Sequence, residues 1–129
     1  MTTQMISFFR RRSKEVSVGH NPRPVLEHPQ LNAVPVTTVL HALSDETRLA
    51  IVRTLRAEPE GRACGTFPVN VAPSTLSHHF KVLREAGLIH QEDRGTQRWT
   101  VLRAPDLDAR FPGFLDAVIT AADLGTTRS

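Results

Sequence analysis

The chain has 129 residues, a hydrophobic share of 40% and a core chemistry of six Phe, one Trp and no Tyr. That suits one small domain with a mainly aliphatic core, marginal enough to favour a second subunit, and excludes a disordered chain. The formal charge of +3 is unevenly spread: residues 1–30 carry +3, 31–72 are neutral, 73–103 carry +2 and 104–129 carry −2, a distribution that fits a polyanionic partner.

One cysteine, Cys64, excludes an internal disulfide and suits a reducing compartment. No apolar run reaches membrane-span length, and the basic cluster Arg10–Arg12 is not followed by an apolar stretch. The expectation is a cytoplasmic protein without a membrane partner. No nucleophile–base pair or phosphate-cradling glycine loop occurs, so an enzyme is not expected.

Residues 1–30 contain FFRRRSK and then Gly19, Pro22, Pro24 and Pro29. No period is sustained there, which predicts a flexible basic arm, either inert or touching the phosphates of a polyanion such as DNA. A single domain over 31–124 and a disordered tail at 125–129 complete the division. Within the domain, in the segment Leu31–Leu43, Val36, Val39, Leu40 and Leu43 predict a first helix with Pro35 close to its start. Ser44 is expected to cap a second helix, with Asp45 and Glu46 in its first turn and Leu49, Ile51, Val52 and Leu55 on its buried side. Arg48, Arg53 and Arg56 read as solvated or structural. Residues 58–72 hold Pro59, Gly61, Gly65 and Pro68, which predict a short or distorted element where a helix-turn-helix needs its leading helix.

The segment APSTLSHHFKVLREAGL (72–88) is the most informative. Leu76, Phe80, Leu83 and Leu88 make one apolar stripe, Pro73 suits the first helical position, and Gly87 can take the left-handed cap. The helix is predicted over 73–86. Ser74, Thr75, Ser77, His78 and Lys81 lie on the opposite side: short hydrogen-bonding groups near the N-terminus, then a cation. A helix entering a DNA major groove has that arrangement, its first turns reading base edges and its longer basic groups holding phosphates. His78 and His79 are about 100° apart on a helix, so they cannot face one metal ion.

Next, strand-tolerant runs flank Asp93-Arg94-Gly95-Thr96 and predict a hairpin, with Trp99 and Val101 on one face and Arg98 and Thr100 on the other. Trp99 reads as core. Beside a recognition helix this hairpin, 91–99, reads as a wing whose Arg94, Gln97 and Arg98 reach phosphates or the minor groove; a merely solvated hairpin stays open. In the last element Phe111, Phe114, Leu115, Val118, Ile119 and Ala122 form a full helical stripe, broader than a small core needs. With Val36, Val39 and Leu40 of the first helix, this stripe is the expected dimer surface, unless the monomer buries it.

ALSDETRLAIVRTL, STLSHHFKVLREAGLI and RGTQRW, at these spacings, resemble the ArsR/SmtB winged helix-turn-helix repressors over roughly Val36–Ala122. The resemblance implies a mainly α fold with a small β-hairpin wing. It also implies a prokaryotic homodimeric repressor on double-stranded DNA, at an operator with twofold pseudosymmetry. It assigns recognition to Ser74, Thr75, Ser77, His78 and Lys81, the wing to Arg94–Arg98, and dimerisation to the first and last helices. The chain departs from the family's metal sites: Cys64 stands alone, and no histidine follows His90 beside Asp106, Asp108, Asp116 and Asp123. Carboxylates without imidazole or thiolate suit zinc-like ions poorly, so no metal or cofactor is expected. Two alternatives remain: a winged-helix module that binds protein rather than DNA, and a redox-responsive repressor using Cys64. The effector is unknown.

Overall fold

A computed structural model describes residues 26–125. The basic cluster at Arg10–Lys14 and residues 126–129 fall outside them. Helices α1 (Val36–Leu43), α2 (Glu46–Arg56) and α3 (Pro73–Glu85) precede a hairpin of β2 (Ile89–Arg94) and β3 (Gln97–Leu102). Before α3 lie a two-residue strand, β1 (Arg62–Ala63), and one tight turn, Cys64–Thr66; after the hairpin come α4 (Ala104–Arg110) and α5 (Phe114–Leu124). The sheet is antiparallel in the order β1-β3-β2.

The stripes predicted from periodicity form the core. Val39, Ala42 and Leu43 of α1 meet Ile51, Val52 and Leu55 of α2, Phe80 and Leu83 of α3, and Leu115 and Ile119 of α5, all buried. Helix α3 ends as Gly87 suggested. The Gly87 N–H donates to the Arg84 carbonyl and the Leu88 N–H to the Leu83 carbonyl, both at 3.0 Å, with Gly87 at φ 81°. That paired closure satisfies carbonyls the helix leaves over and folds buried Leu88 back onto it.

The first helix begins at Val36, directly after Pro35 as expected, and Leu31–Ala33 makes a separate short turn. Several other expectations need correction. Asp45, not Ser44, caps α2: its carboxylate accepts the Arg48 N–H at 3.0 Å. Ser44 instead closes α1, its hydroxyl donating to the His41 carbonyl at 2.7 Å. The hairpin strands run through Asp93 and Arg94, leaving a two-residue turn at Gly95-Thr96, with Gly95 at φ 63°. Trp99 is half-buried on the outer face, where its Nε1–H donates to the Glu60 carbonyl at 2.8 Å. Thr100 and Leu102 are the inward residues of β3. Phe111 lies beyond α4 and before α5: Pro112 and Gly113, the latter at φ 79°, break the stripe into two helices.

The last residues of the predicted arm rest on the body. His28 stacks on His90 with ring centroids 4.2 Å apart, and its Nε2 accepts the Gln91 N–H at 2.9 Å. The Pro29 carbonyl accepts from Arg103 at 2.8 Å. Residues 26–34 thus strap the base of the hairpin and α4.

Candidate nucleic-acid interface

Helix α3 divides into two sides. His79, Phe80 and Leu83 are buried, whereas Ser74, Thr75, Ser77, His78 and Lys81 are all exposed. The N-cap is Ala72, which makes no side-chain cap, so the first-turn amides stand at the positive end of the helix dipole. An exposed helix start with hydroxyls, an imidazole and a lysine on one side can present donors and acceptors to a polyanion.

A buried arginine holds α3 in place. Arg48 of α2 donates from Nε to the Ala42 carbonyl at 2.7 Å, and its Nη1 lies 3.0 Å from His79 Nδ1. Arginine can only donate, so Nδ1 accepts and the imidazole proton sits on Nε2. Asp45 is 3.8 Å from the same nitrogen; with no proton there, the two are not hydrogen-bonded. The Arg48 backbone N–H is the main cause that lowers the Asp45 carboxyl below its ordinary range. The expectation that Arg48 is structural therefore holds, and His79 locks the helix rather than facing outward.

No α-helix forms between α2 and α3, where the leading element is expected. The Cys64–Thr66 turn and buried Phe67 take its place, with Phe67 meeting Phe80 edge to face at 5.3 Å between centroids. A polar chain behind α3 completes the junction with the wing. Arg84 Nη1 donates to Gln91 Oε1 at 2.6 Å, and Gln91 Nε2 donates to Thr100 Oγ1 and Cys64 Sγ, both at 3.1 Å. Burial pushes the Cys64 thiol up, and the hydrogen bonds from Thr100 and Gln91 offset this only in part. Such a thiol has little thiolate at neutral pH, which disfavours reaction with oxidants. Gln91 was legible in principle, since alternation from Ile89 turns its side chain inward. Phe67 and Thr100 had no such sign in an irregular or mispaired segment.

On the wing, Arg98 shares a cleft with α3 while Arg94 lies on the outer face over Trp99, and each is paired. Arg94 Nε donates to Glu92 at 2.8 Å, with its guanidinium 4.7 Å above the Trp99 ring, and Arg98 Nε donates to Asp93 at 3.1 Å. Surface pairs of this kind are worth about 0–1 kcal/mol, so a phosphate can displace the carboxylates at small cost. Gln97 is exposed at the start of β3. Of the predicted dimer residues, Val39, Leu115 and Ile119 are buried in their own core, and Phe111, Phe114 and Val118 are half-buried. Val36 and Leu40 remain 39% and 46% exposed.

Three helices, the third with an exposed polar side at its N-terminus, followed by a two-stranded hairpin, define a winged helix-turn-helix. A helix-turn-helix domain family matches residues 43–92. The chain is 39% identical over 82 residues to the "Uncharacterized HTH-type transcriptional regulator YceK" of Bacillus subtilis (strain 168), covering 62% of this chain and 82% of that protein. In fold it is similar to the transcriptional repressor BigR from Xylella fastidiosa, with a TM-score of 0.56 at 23% identity over 72% of this chain and 88% of that one. An ArsR-like transcriptional regulator from Rhodococcus sp. RHA1 gives a TM-score of 0.48 at 21% identity, covering 72% of this chain and 94% of that one. The chain belongs to the helix-turn-helix transcriptional regulators, which are DNA-binding proteins.

Proposed function

We propose that this regulator is a homodimeric repressor that binds a pseudo-palindromic operator, with α3 in the major groove and the wing on the backbone or minor groove. The observation that carries the reading is the side of α3 bearing exposed Ser74, Thr75, Ser77, His78 and Lys81. Ser77 and His78 read base edges; Lys81, Arg94, Gln97 and Arg98 hold phosphates. Dimerisation uses Val36 and Leu40 of α1 with the half-buried Phe111, Phe114 and Val118, because exposed large aliphatics in contiguous positions are costly in water. Twofold symmetry then sets two α3 helices about one DNA turn, roughly 34 Å, apart.

The regulator works without metal at the family's carboxylate-bearing last helix. Asp116 and Asp123 on that helix face Arg56 and Arg53, and no group of histidines, cysteines and carboxylates that could hold a metal gathers among the described residues, so the donor set suits a zinc-like ion poorly. Gel retardation with genomic fragments tests the whole reading: a retarded fragment protected over two symmetric half-sites supports it. Absence of any retarded fragment at low salt overturns it. Added zinc or a chelator is expected to leave the retardation unchanged.

A further inference from the structure

Behind the reading side of α3 is a cleft of about 410 Å³, walled by three separate elements. Cys64 comes from the leading turn, Leu76, Phe80 and Arg84 from α3, and Gln91 and Arg98 from the wing. Its volume is at the low end of small-molecule sites. The floor is apolar, yet two guanidiniums share the wall and none of the lining residues is a carboxylate. Asp93, which accepts from Arg98, lies outside the lining. Burial and then Arg98 hold the Arg84 guanidinium below its usual range, so a second positive charge is felt there. A counter-anion would relieve both effects.

We propose that this cleft is an effector site for a small organic carboxylate, whose head group sits between Arg84 and Arg98 and whose apolar body lies on Leu76 and Phe80. The apolar floor separates this ligand from a DNA phosphate, which has no use for it. A planar carboxylate also matches the guanidinium fork. Its regulatory consequence rests on the DNA reading above, because Ser77 lines the same cleft and also stands on the exposed side of α3. A bound carboxylate competes with Gln91 Oε1 for Arg84, the 2.6 Å contact that ties α3 to the wing. Loosening that tie lowers DNA affinity to the extent that the ligand prefers the DNA-free arrangement.

The full-length chain, ¹⁵N-labelled and without DNA, is titrated with benzoate, with benzamide as the neutral analogue and inorganic phosphate as the anion without an apolar body. Benzoate is expected to shift the amides of Cys64, Gln91 and Arg98 saturably, with a Kd of about 1 mM or tighter. Arg84→Gln and Arg98→Gln should each weaken this about tenfold. Arg98 lies on the wing surface, so R98Q carries the test even if R84Q does not fold. No saturable shift, or equal shifts with benzamide, overturns the proposal. Phosphate acting as strongly as benzoate also overturns it and assigns the cleft to the DNA backbone. Gel retardation at matched ionic strength then reads the coupling: benzoate should weaken binding by wild type and benzamide should not, and binding indifferent to benzoate overturns the effector role. Lack of any DNA binding at low salt would sink the DNA reading alone, because the titration contains no DNA.

Discussion

Arg48 shows how one buried charge can position a reading surface. Its guanidinium bonds the Ala42 carbonyl and His79 Nδ1, so it joins α1, α2 and α3 at one point. Arg48→Ala strands a carbonyl and an imidazole nitrogen in a buried site, and should cost about 2–4 kcal/mol in urea denaturation. Arg48→Lys should recover little, because a single ammonium cannot reproduce the fork. Gly87 is equally constrained: an added Cβ would stand 2.4 Å from Leu31 Cδ2, at a φ of 81°. Gly87→Ala is therefore expected to lower stability by about 1–3 kcal/mol, measured the same way. On the exposed side, Lys81→Ala should weaken binding to all DNA sequences and flatten its salt dependence, whereas His78→Ala should relax sequence preference. Competition assays with operator variants at several salt concentrations separate the two.

At the scale of elements, the strap of residues 26–34 makes the base of the wing sensitive to acid. His28 accepts the Gln91 N–H at 2.9 Å, which requires a neutral Nε2. Burial first, and then His90, Arg103 and Arg84, lower its pKa from 6.5 to about 4. The unfolded chain therefore binds a proton between about pH 6.5 and 4 that the folded chain refuses. Stability from this group is complete above pH 6.5 and is lost as pH falls towards 4. Solvent screening of a half-buried group reduces the loss to the order of 1 kcal/mol. Melting curves at pH 7 and 5 should show the decline, and His28→Ala should remove this part of it; an unchanged slope would refute the assignment. The leading element makes a related point. Pro59, Gly61, Gly65 and Pro68 announced that no ordinary helix fits there, but not that Phe67 against Phe80 would take over its task.

For the whole molecule, the question is what covers α1. Val36 and Leu40 are exposed in the monomer, so Leu40→Glu costs the monomer's own fold little but introduces charge into the proposed interface. Sedimentation should then give a monomer with an unchanged circular-dichroism spectrum and much weaker operator binding. A dimer that survives L40E would place the interface elsewhere.

The pattern of residues alone determined α2, α3 and the hairpin, because a repeat of 3.6 or 2 with capping groups and glycines is a local property. It also placed Ser74, Thr75, Ser77, His78 and Lys81 on one side of α3, since the opposite stripe had to be buried. Tertiary structure alone decided which of the stripe residues remained outside. Val39, Leu115 and Ile119 went into the core while Val36 and Leu40 did not, and periodicity cannot tell a core-facing stripe from a partner-facing one. It likewise decided that Thr100 faces inward and Trp99 outward. The two faces of a strand are equivalent until something packs on one of them. The cleft between Arg84 and Arg98 was beyond sequence reasoning for the same reason: it exists only where a turn, a helix and a hairpin distant in the chain meet.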